Sequence, residues 1–258
     1  MRQLLPLFVL LGLASFARAQ GPTLVAHYKL DETAGTTLTE STGQGADAAL
    51  QGTYQLGTLG AAAGTGGAVT FDPTGLGMGV VPDGPNLTNL RNDLSLTAWI
   101  KPLSHGSIGI ARIFSGDDSA WSCGIMSGGL RFTTRNVRDY DLAGQIVPLD
   151  TWTHLAYVMG ATNDVTFYVN GVNVGTVTGT SPSNAPNGSW VIGAFRTVVA
   201  PPECFDGSID DIQVYSGSLS DAEVATLFAA PGSTLDGGTT FCAGDGSGTL
   251  CPCGNAGT

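Results

Sequence analysis

Charge is scarce in this chain. Only 12% of its 258 residues are Asp, Glu, Lys or Arg, and the scarcity is one-sided, with 10 Lys and Arg against 21 Asp and Glu. So few cations exclude the basic stripe that a phosphate backbone or an anionic bilayer surface demands, and nucleic acid is not an expected partner. Glutamate is rarer still, confined to Glu32, Glu40, Glu203 and Glu223. Long apolar runs are missing after the first twenty residues, so no later segment is expected to insert into a membrane. The G-x-S-x-G elbow, the H-E-x-x-H pair and the phosphate-binding loop are absent, and His27, His105 and His154 are scattered along the chain. No catalytic constellation is therefore legible, and the catalytic set is read as empty.

What the first residues do contain is an export signal. Met1-Arg2 is a basic start, Leu4–Leu13 is an apolar run too short to span a bilayer, and Ala17-Arg18-Ala19 is a small-x-small cleavage site before Gln20. Residues 1–19 are expected to be a signal peptide, and the mature chain to be secreted, outside the cell or on its surface. Cleavage removes Arg2 and Arg18, leaving 8 basic against 21 acidic residues, a net charge of −13.

Glycine is the commonest residue, with 38 copies, as in chains built of short strands and tight turns. Strand-length runs of alternating or β-rich character lie at 24–30, 94–100 and 152–158, with further strands near 68–71, 108–115, 130–134, 190–195 and 208–215. Asn170-Gly171 between 164–169 and 172–177 predicts a two-residue hairpin, because both central positions of a type I′ turn need positive φ. One segment reads as a helix. Ser220-Asp221-Ala222-Glu223 is a capping box, followed by Val224, Leu227 and Phe228 at helical spacing and stopped by Pro231-Gly232. Many strands with one terminal helix predict an all-β, antiparallel two-sheet sandwich over residues 20–230.

Residues 231–258 form a Gly/Cys-rich tail expected to lie outside the core. The tail carries Cys242, Cys251 and Cys253, whose spacing suits a disulfide knot better than zinc, while Cys123 and Cys204 fall within the sandwich. In an oxidising compartment all five are disulfide candidates, a Cys123–Cys204 bridge among them, and spacing alone does not assign the pairs. The acidic pairs Asp117-Asp118 and Asp210-Asp211 are adjacent, so strict strand alternation sends their side chains to opposite faces. Arg131, Arg135 and Arg138 beside Tyr140 form the one basic cluster, suited to an acidic ligand or, with better odds, to guarding a strand edge.

The order of motifs resembles the laminin-G-like (pentraxin or concanavalin A-like) jelly-roll family. The matching segments are His27–Gly35, Leu96–Pro102, Trp152–Tyr157, Phe167–Gly171 and Phe205–Tyr215, with the Ser220–Phe228 helix at the family's closing position. The resemblance spans about residues 23–230 and implies a jelly roll with large aromatics, Trp99, Trp152, Tyr157, Tyr168 and Tyr215, filling the gap between sheets. It also implies a structural calcium held by Asp210 at the start of the last strand, with Asp31 and backbone carbonyls of the N-terminal segment approaching it. Glu40 stands where the family often has another Asp. Hydrolases of this superfamily carry an E-x-D-x-E run that this chain lacks. The expected function is non-catalytic recognition of carbohydrate or an extracellular protein. A structural or adhesive module without a specific ligand is the second reading, and a glycoside hydrolase with an atypical site the last.

Overall fold

The computed structural model describes residues 21–235 apart from residues 107, 117, 118, 145, 146 and 196–202. The expected signal peptide, Asp117-Asp118 and the tail cysteines Cys242, Cys251 and Cys253 lie outside the described residues. In chain order the strands are β1 (Thr23–Tyr28), β2 (Thr37–Leu38), β3 (Ala48–Gln51), β4 (Tyr54–Leu59), β5 (Gly67–Phe71), β6 (Met78–Val81), β7 (Leu94–Pro102) and β8 (Ile110–Gly116). They continue with β9 (Trp121–Met126), β10 (Gly129–Thr134), β11 (Arg138–Leu142), β12 (Thr153–Met159), β13 (Val165–Val169), β14 (Val172–Val177), β15 (Trp190–Ile192) and β16 (Gly207–Ser216). A one-turn helix α1 (Pro85–Thr88) precedes β7, and α2 (Asp221–Ala229) closes the domain.

Two antiparallel sheets stack as a sandwich. Sheet A runs β14-β13-β12-β7-β16-β5-β4, with β1 also paired to β16, and sheet B runs β11-β10-β9-β8-β15-β6-β3-β2. The predicted hairpin is present: Asn170 and Gly171 have φ of 49° and 77°. Its geometry is reinforced from the neighbouring strand, since Asn170 Oδ1 accepts the His154 amide at 2.9 Å. The predicted capping box is also present, with the Glu223 carboxylate accepting the Ser220 amide and the Ser220 hydroxyl accepting the Glu223 amide.

Strand parity decides what fills the sandwich, and it corrects the expected aromatic core. In β7, Leu96, Ala98 and Ile100 face the opposite sheet, so Thr97 and Trp99 must point outward. Of the five expected aromatics only Tyr157 packs between the sheets; Tyr168 and Tyr215 lie on the outer face of sheet A, and Trp152 is half-buried ahead of β12. Tyr157 is joined between the sheets by Trp121, Trp190, Tyr28, Tyr140, Phe71, Phe114, Phe132, Phe167 and Phe205. Trp121 stacks on Phe114 and Phe132 and meets Trp190 at 4.9 Å, which gives one continuous aromatic seam under sheet B.

The outward aromatics of sheet A are instead roofed. Helix α2 sets Val224 and Leu227 onto Ala156, Val158, Tyr168 and Tyr215, and Phe228 stacks on Trp99 at 5.7 Å. Burying two such aliphatic side chains stabilises the docked helix by roughly 1.5–3 kcal/mol each. The roof continues past Pro231: Ser233 O accepts Gln213 Nε2 (2.8 Å), and Leu235 N donates to the Tyr215 hydroxyl (3.3 Å). One face of the sandwich is thereby closed by the chain itself, and the outer face of sheet B is left to consider.

Candidate functional site

Asp31 and Asp210 do converge, although 179 positions separate them in sequence, and the element that joins them is the glycine-rich loop 60–67. Asp31 Oδ1 accepts the Gly67 amide at 2.6 Å, and Asp210 Oδ2 accepts the Ala61 amide at 2.8 Å. Asp210 is fully buried, and its Oδ1 has no hydrogen-bond partner; the nearby Thr65 hydroxyl is spent on the Ala62 carbonyl. Burial, and then the charges of Asp211 and Asp31, push its carboxyl up to about 7 against the amide and hydroxyl contacts that oppose this. A carbon placed on Gly60 would sit 2.6 and 2.7 Å from the Gly66 and Gly67 carbonyl oxygens and 2.8 Å from Asp210 Oδ2. A side chain there would collide with all three oxygens, so only glycine lets the loop close this tightly over the Asp210 carboxylate.

Asp31 and Asp210 offer carboxylate oxygens, donors of the kind a hard cation takes. Among the described residues no three His, Cys, Asp or Glu side chains gather to hold a metal. The backbone carbonyls close to Asp210 lie in loop 60–67. Glu40 is not part of the set. Burial alone would raise its pKa, but the amides of His27, Thr42 and Gly45 and the Thr42 hydroxyl all donate to its carboxylate and hold it below the usual range.

The neighbouring Asp211 departs from the expected alternation. A bulge in β16 between Asp210 and Gln213 puts Asp211 at φ 48°, while Ile209 and Ile212 both face the core. Both carboxylates therefore lie on the outer side of sheet A, not on opposite faces. Asp211 Oδ1 lies 2.7 Å from His27 Nε2, and its carboxylate also accepts Gln213 Nε2 and the Gly232 amide. The pair His27–Asp211 was invisible in the sequence because 184 positions separate its members. His154, the other buried histidine of this sheet, lies under Phe228 with Nδ1 unpartnered, and burial lowers its pKa to about 4 against the pull of Asp211.

The outer face of sheet B carries a connected polar network. Arg112 on β8 pairs with Glu203 and donates to the Ser122 and Thr133 hydroxyls, both at 3.0 Å. Thr133 in turn donates to Asp139 (2.7 Å), and Arg131 grips Asp141 through two nitrogens (2.6 and 2.7 Å) while reaching Asp139 at 3.4 Å. The network grades outward: the Arg112 side chain is 3% exposed, Arg131 13%, Asp141 36% and Asp139 46%. The basic cluster read from the sequence is thus dispersed. Arg131 is neutralised by two carboxylates, Arg135 stacks over Phe195 at 4.1 Å, and Arg138 covers Tyr140.

The candidate bridge between Cys123 and Cys204 does not form. Cys123 belongs to the inter-sheet core, whereas Cys204 packs on Met78, Val191 and Ala194 in a separate cluster on the outer side of sheet B, so a sheet stands between them. Burial pushes the two thiols up to about 12 and about 11, which leaves neither as a nucleophile at neutral pH.

Comparison with known proteins places this geometry. A comparison with curated protein sequences finds no match. Among solved structures the chain is similar to domain 4 of AbnA, a GH43 extracellular arabinanase from Geobacillus stearothermophilus, in complex with arabinotriose. That likeness has a TM-score of 0.62 at 23% identity, covering 81% of this chain and 99% of that one. It is also similar to the binding domain of botulinum neurotoxin DC in complex with rat synaptotagmin II (TM-score 0.60, 16% identity, 80% of this chain), of which it spans about half, 51%. The binding domain of Paraclostridial Mosquitocidal Protein 1 is alike to the same extent (TM-score 0.58, 14% identity, 80% and 51%). At these identities the likeness is one of fold. The family pattern described as concanavalin A-like lectin/glucanases superfamily matches residues 74–225, from the turn before β6 into α2, and the chain belongs to that superfamily.

Proposed function

We propose that this chain is a secreted, non-catalytic binding module that takes a neutral, hydroxyl-rich ligand on the outer face of sheet B, with a structural calcium at the Asp31–Asp210 rim. The observation that carries the reading is the graded network ending in Arg131, Asp139 and Asp141. Their planar groups are held in fixed orientation by one another, and the half-exposed carboxylate oxygens of Asp139 and Asp141 remain able to meet vicinal hydroxyls. An acidic saccharide is disfavoured, because Arg131 already faces two carboxylates. The other sheet face is unavailable beneath α2. Two comparisons support a binding role: the AbnA domain is described in complex with arabinotriose and the toxin domain with synaptotagmin II.

Isothermal titration with arabinotriose and other short neutral oligosaccharides tests the site. Arg131→Ala, which releases Asp139 and Asp141 from their fixed orientation, is expected to weaken binding by about tenfold, with a small change in melting temperature because the ion pairs lie at the surface. Equal affinity in wild type and variant would move the site elsewhere, and no binding at all would favour a structural or adhesive module.

At the rim, Asp31 and Asp210, with backbone carbonyls and solvent, would hold the cation, whose charge would tie the N-terminal segment, loop 60–67 and the last strand together. The sign of the pH effect follows from Asp210. Its folded pKa lies above the ordinary 3.8, so the cation-free fold loses stability as pH climbs from about 4 to about 7. Asp210→Asn is therefore expected to raise the melting temperature of the chelator-treated protein at alkaline pH and to erase the further rise that calcium gives the wild type. A variant that still responds to calcium would contradict the assignment.

A further inference from the structure

Asn170-Gly171 and Asn187-Gly188 are the Asn-Gly steps of this chain. At such a step a chain can modify itself, because glycine places no Cβ beside the backbone nitrogen that attacks the preceding carboxamide. The fold treats the two steps differently. Asn170 opens the β13–β14 turn at φ 49°. Its amide donates to the His154 carbonyl at 2.8 Å and its Oδ1 accepts the His154 amide at 2.9 Å, so backbone and side chain are both clamped to β12. Gly171 is packed against α2, where a carbon added to it would meet Phe228 at 3.0 Å. Asn187 is exposed, in the segment 178–189 that joins β14 to β15 without helix or strand. The Ser119 hydroxyl lies 3.1 Å from its Oδ1 and is shared with the Ala185 carbonyl. Among the described residues neither Asn187 Nδ2 nor the Gly188 amide donates to an acceptor.

We infer that Asn187 is a self-modification site, where a neutral carboxamide becomes a carboxylate, and that the fold holds Asn170 unreactive. The Gly188 nitrogen gives up its proton to hydroxide and attacks Asn187 Cγ. The new N–Cγ bond closes a succinimide ring, the Cγ–Nδ2 bond breaks, and ammonia leaves. Water then opens the ring at either carbonyl, giving aspartate or isoaspartate. The nucleophile has no hydrogen bond to surrender and the leaving group has no protein partner to hold it. Ser119 can turn its proton to Oδ1, the atom on which negative charge builds as the ring closes. At Asn170 the same closure requires release of the His154 amide and rotation of a two-residue turn out of the geometry that its strands need. An isoaspartate at position 187 carries the chain through its side-chain carbon, one methylene longer, three residues before Trp190 enters the aromatic seam. The inference rests on residues outside the proposed ligand and cation sites, so it stands or falls apart from them.

The test is peptide mapping by mass spectrometry of the full-length protein after incubation at pH 8 and at pH 5, native and in guanidinium chloride, with isoaspartate read by enzymatic methylation. In the native protein residue 187 is expected to gain one dalton and to become partly isoaspartate, faster at pH 8 because the attacking nitrogen must lose its proton. Residue 170 is expected to stay intact over the same interval. In guanidinium chloride both steps are expected to convert, since the clamp on Asn170 is then gone. Asn187→Gln is expected to lose the more acidic species that native electrophoresis resolves from fresh protein, and Asn187→Asp to migrate with that species. An intact residue 187 after native incubation at pH 8 would overturn the inference. So would native conversion of residue 170 at the rate of residue 187, a residue 170 that stays intact even in guanidinium chloride, or an Asn187→Gln variant that gains charge as fast as the wild type.

Discussion

His154 shows how a single side chain couples the roof of the molecule to pH. It pairs across the sheet with Trp99 and lies against Phe228 of α2, so protonating it would place a charge under the helix with no carboxylate bonded to it. Its folded pKa of about 4 lies below the ordinary 6.5. Above pH 6.5 both folded and unfolded states leave the ring neutral, and the group has no effect on stability. As pH falls from 6.5 towards 4 the unfolded chain takes up a proton that the folded one refuses, so stability declines by an amount on the order of 3 kcal/mol. Urea unfolding at pH 7 and pH 4.5 is expected to show that decline, and His154→Phe, which keeps the ring stack and removes the titration, is expected to shrink it. A variant with the wild-type pH dependence would assign the decline to other groups.

At the scale of elements, the closing helix and the six residues after it act as one lid on sheet A. Truncation after Pro231 removes four hydrogen bonds, from Gly232, to and from Ser233 and from Leu235, together with the packing of Leu235 on the helix cluster. Relative to truncation after Leu235, it is expected to leave a cooperatively folding domain that is less stable by roughly 2–4 kcal/mol in denaturant unfolding. Equal stability of the two would mean that these contacts contribute nothing. Elements with strong local signals were legible in the sequence: the Asn170-Gly171 hairpin, the Ser220 capping box, and strands with clean alternation such as β7 and β12. Strands β9 and β11 were not read, because Trp-Ser-Cys-Gly-Ile-Met and Arg-Asp-Tyr-Asp-Leu alternate only weakly. β4 hid in a glycine-rich stretch, where Gly57 at φ 65° forms a bulge. Asp31 and Asp210 were legible through the family pattern. The Gly66 and Gly67 carbonyls and the His27–Asp211 pair were not, since backbone oxygens carry no residue signature and contacts across 184 positions leave no local trace.

The whole molecule is a strongly anionic sandwich with unequal faces. Sheet A is roofed by its own C-terminal segment, and sheet B presents a polar network that holds itself in place. The net charge of −11 carries the protein towards the anode at neutral pH, which makes native electrophoresis through a polysaccharide-containing gel a natural assay. The direct test of the central claim is that electrophoresis in gels cast with neutral polysaccharides, paired with a reducing-end assay on the same samples. The account predicts retarded migration in at least one polysaccharide, mobility restored by Arg131→Ala, and no new reducing ends. Unretarded migration in every gel, or steady release of reducing ends by the purified protein, would contradict it.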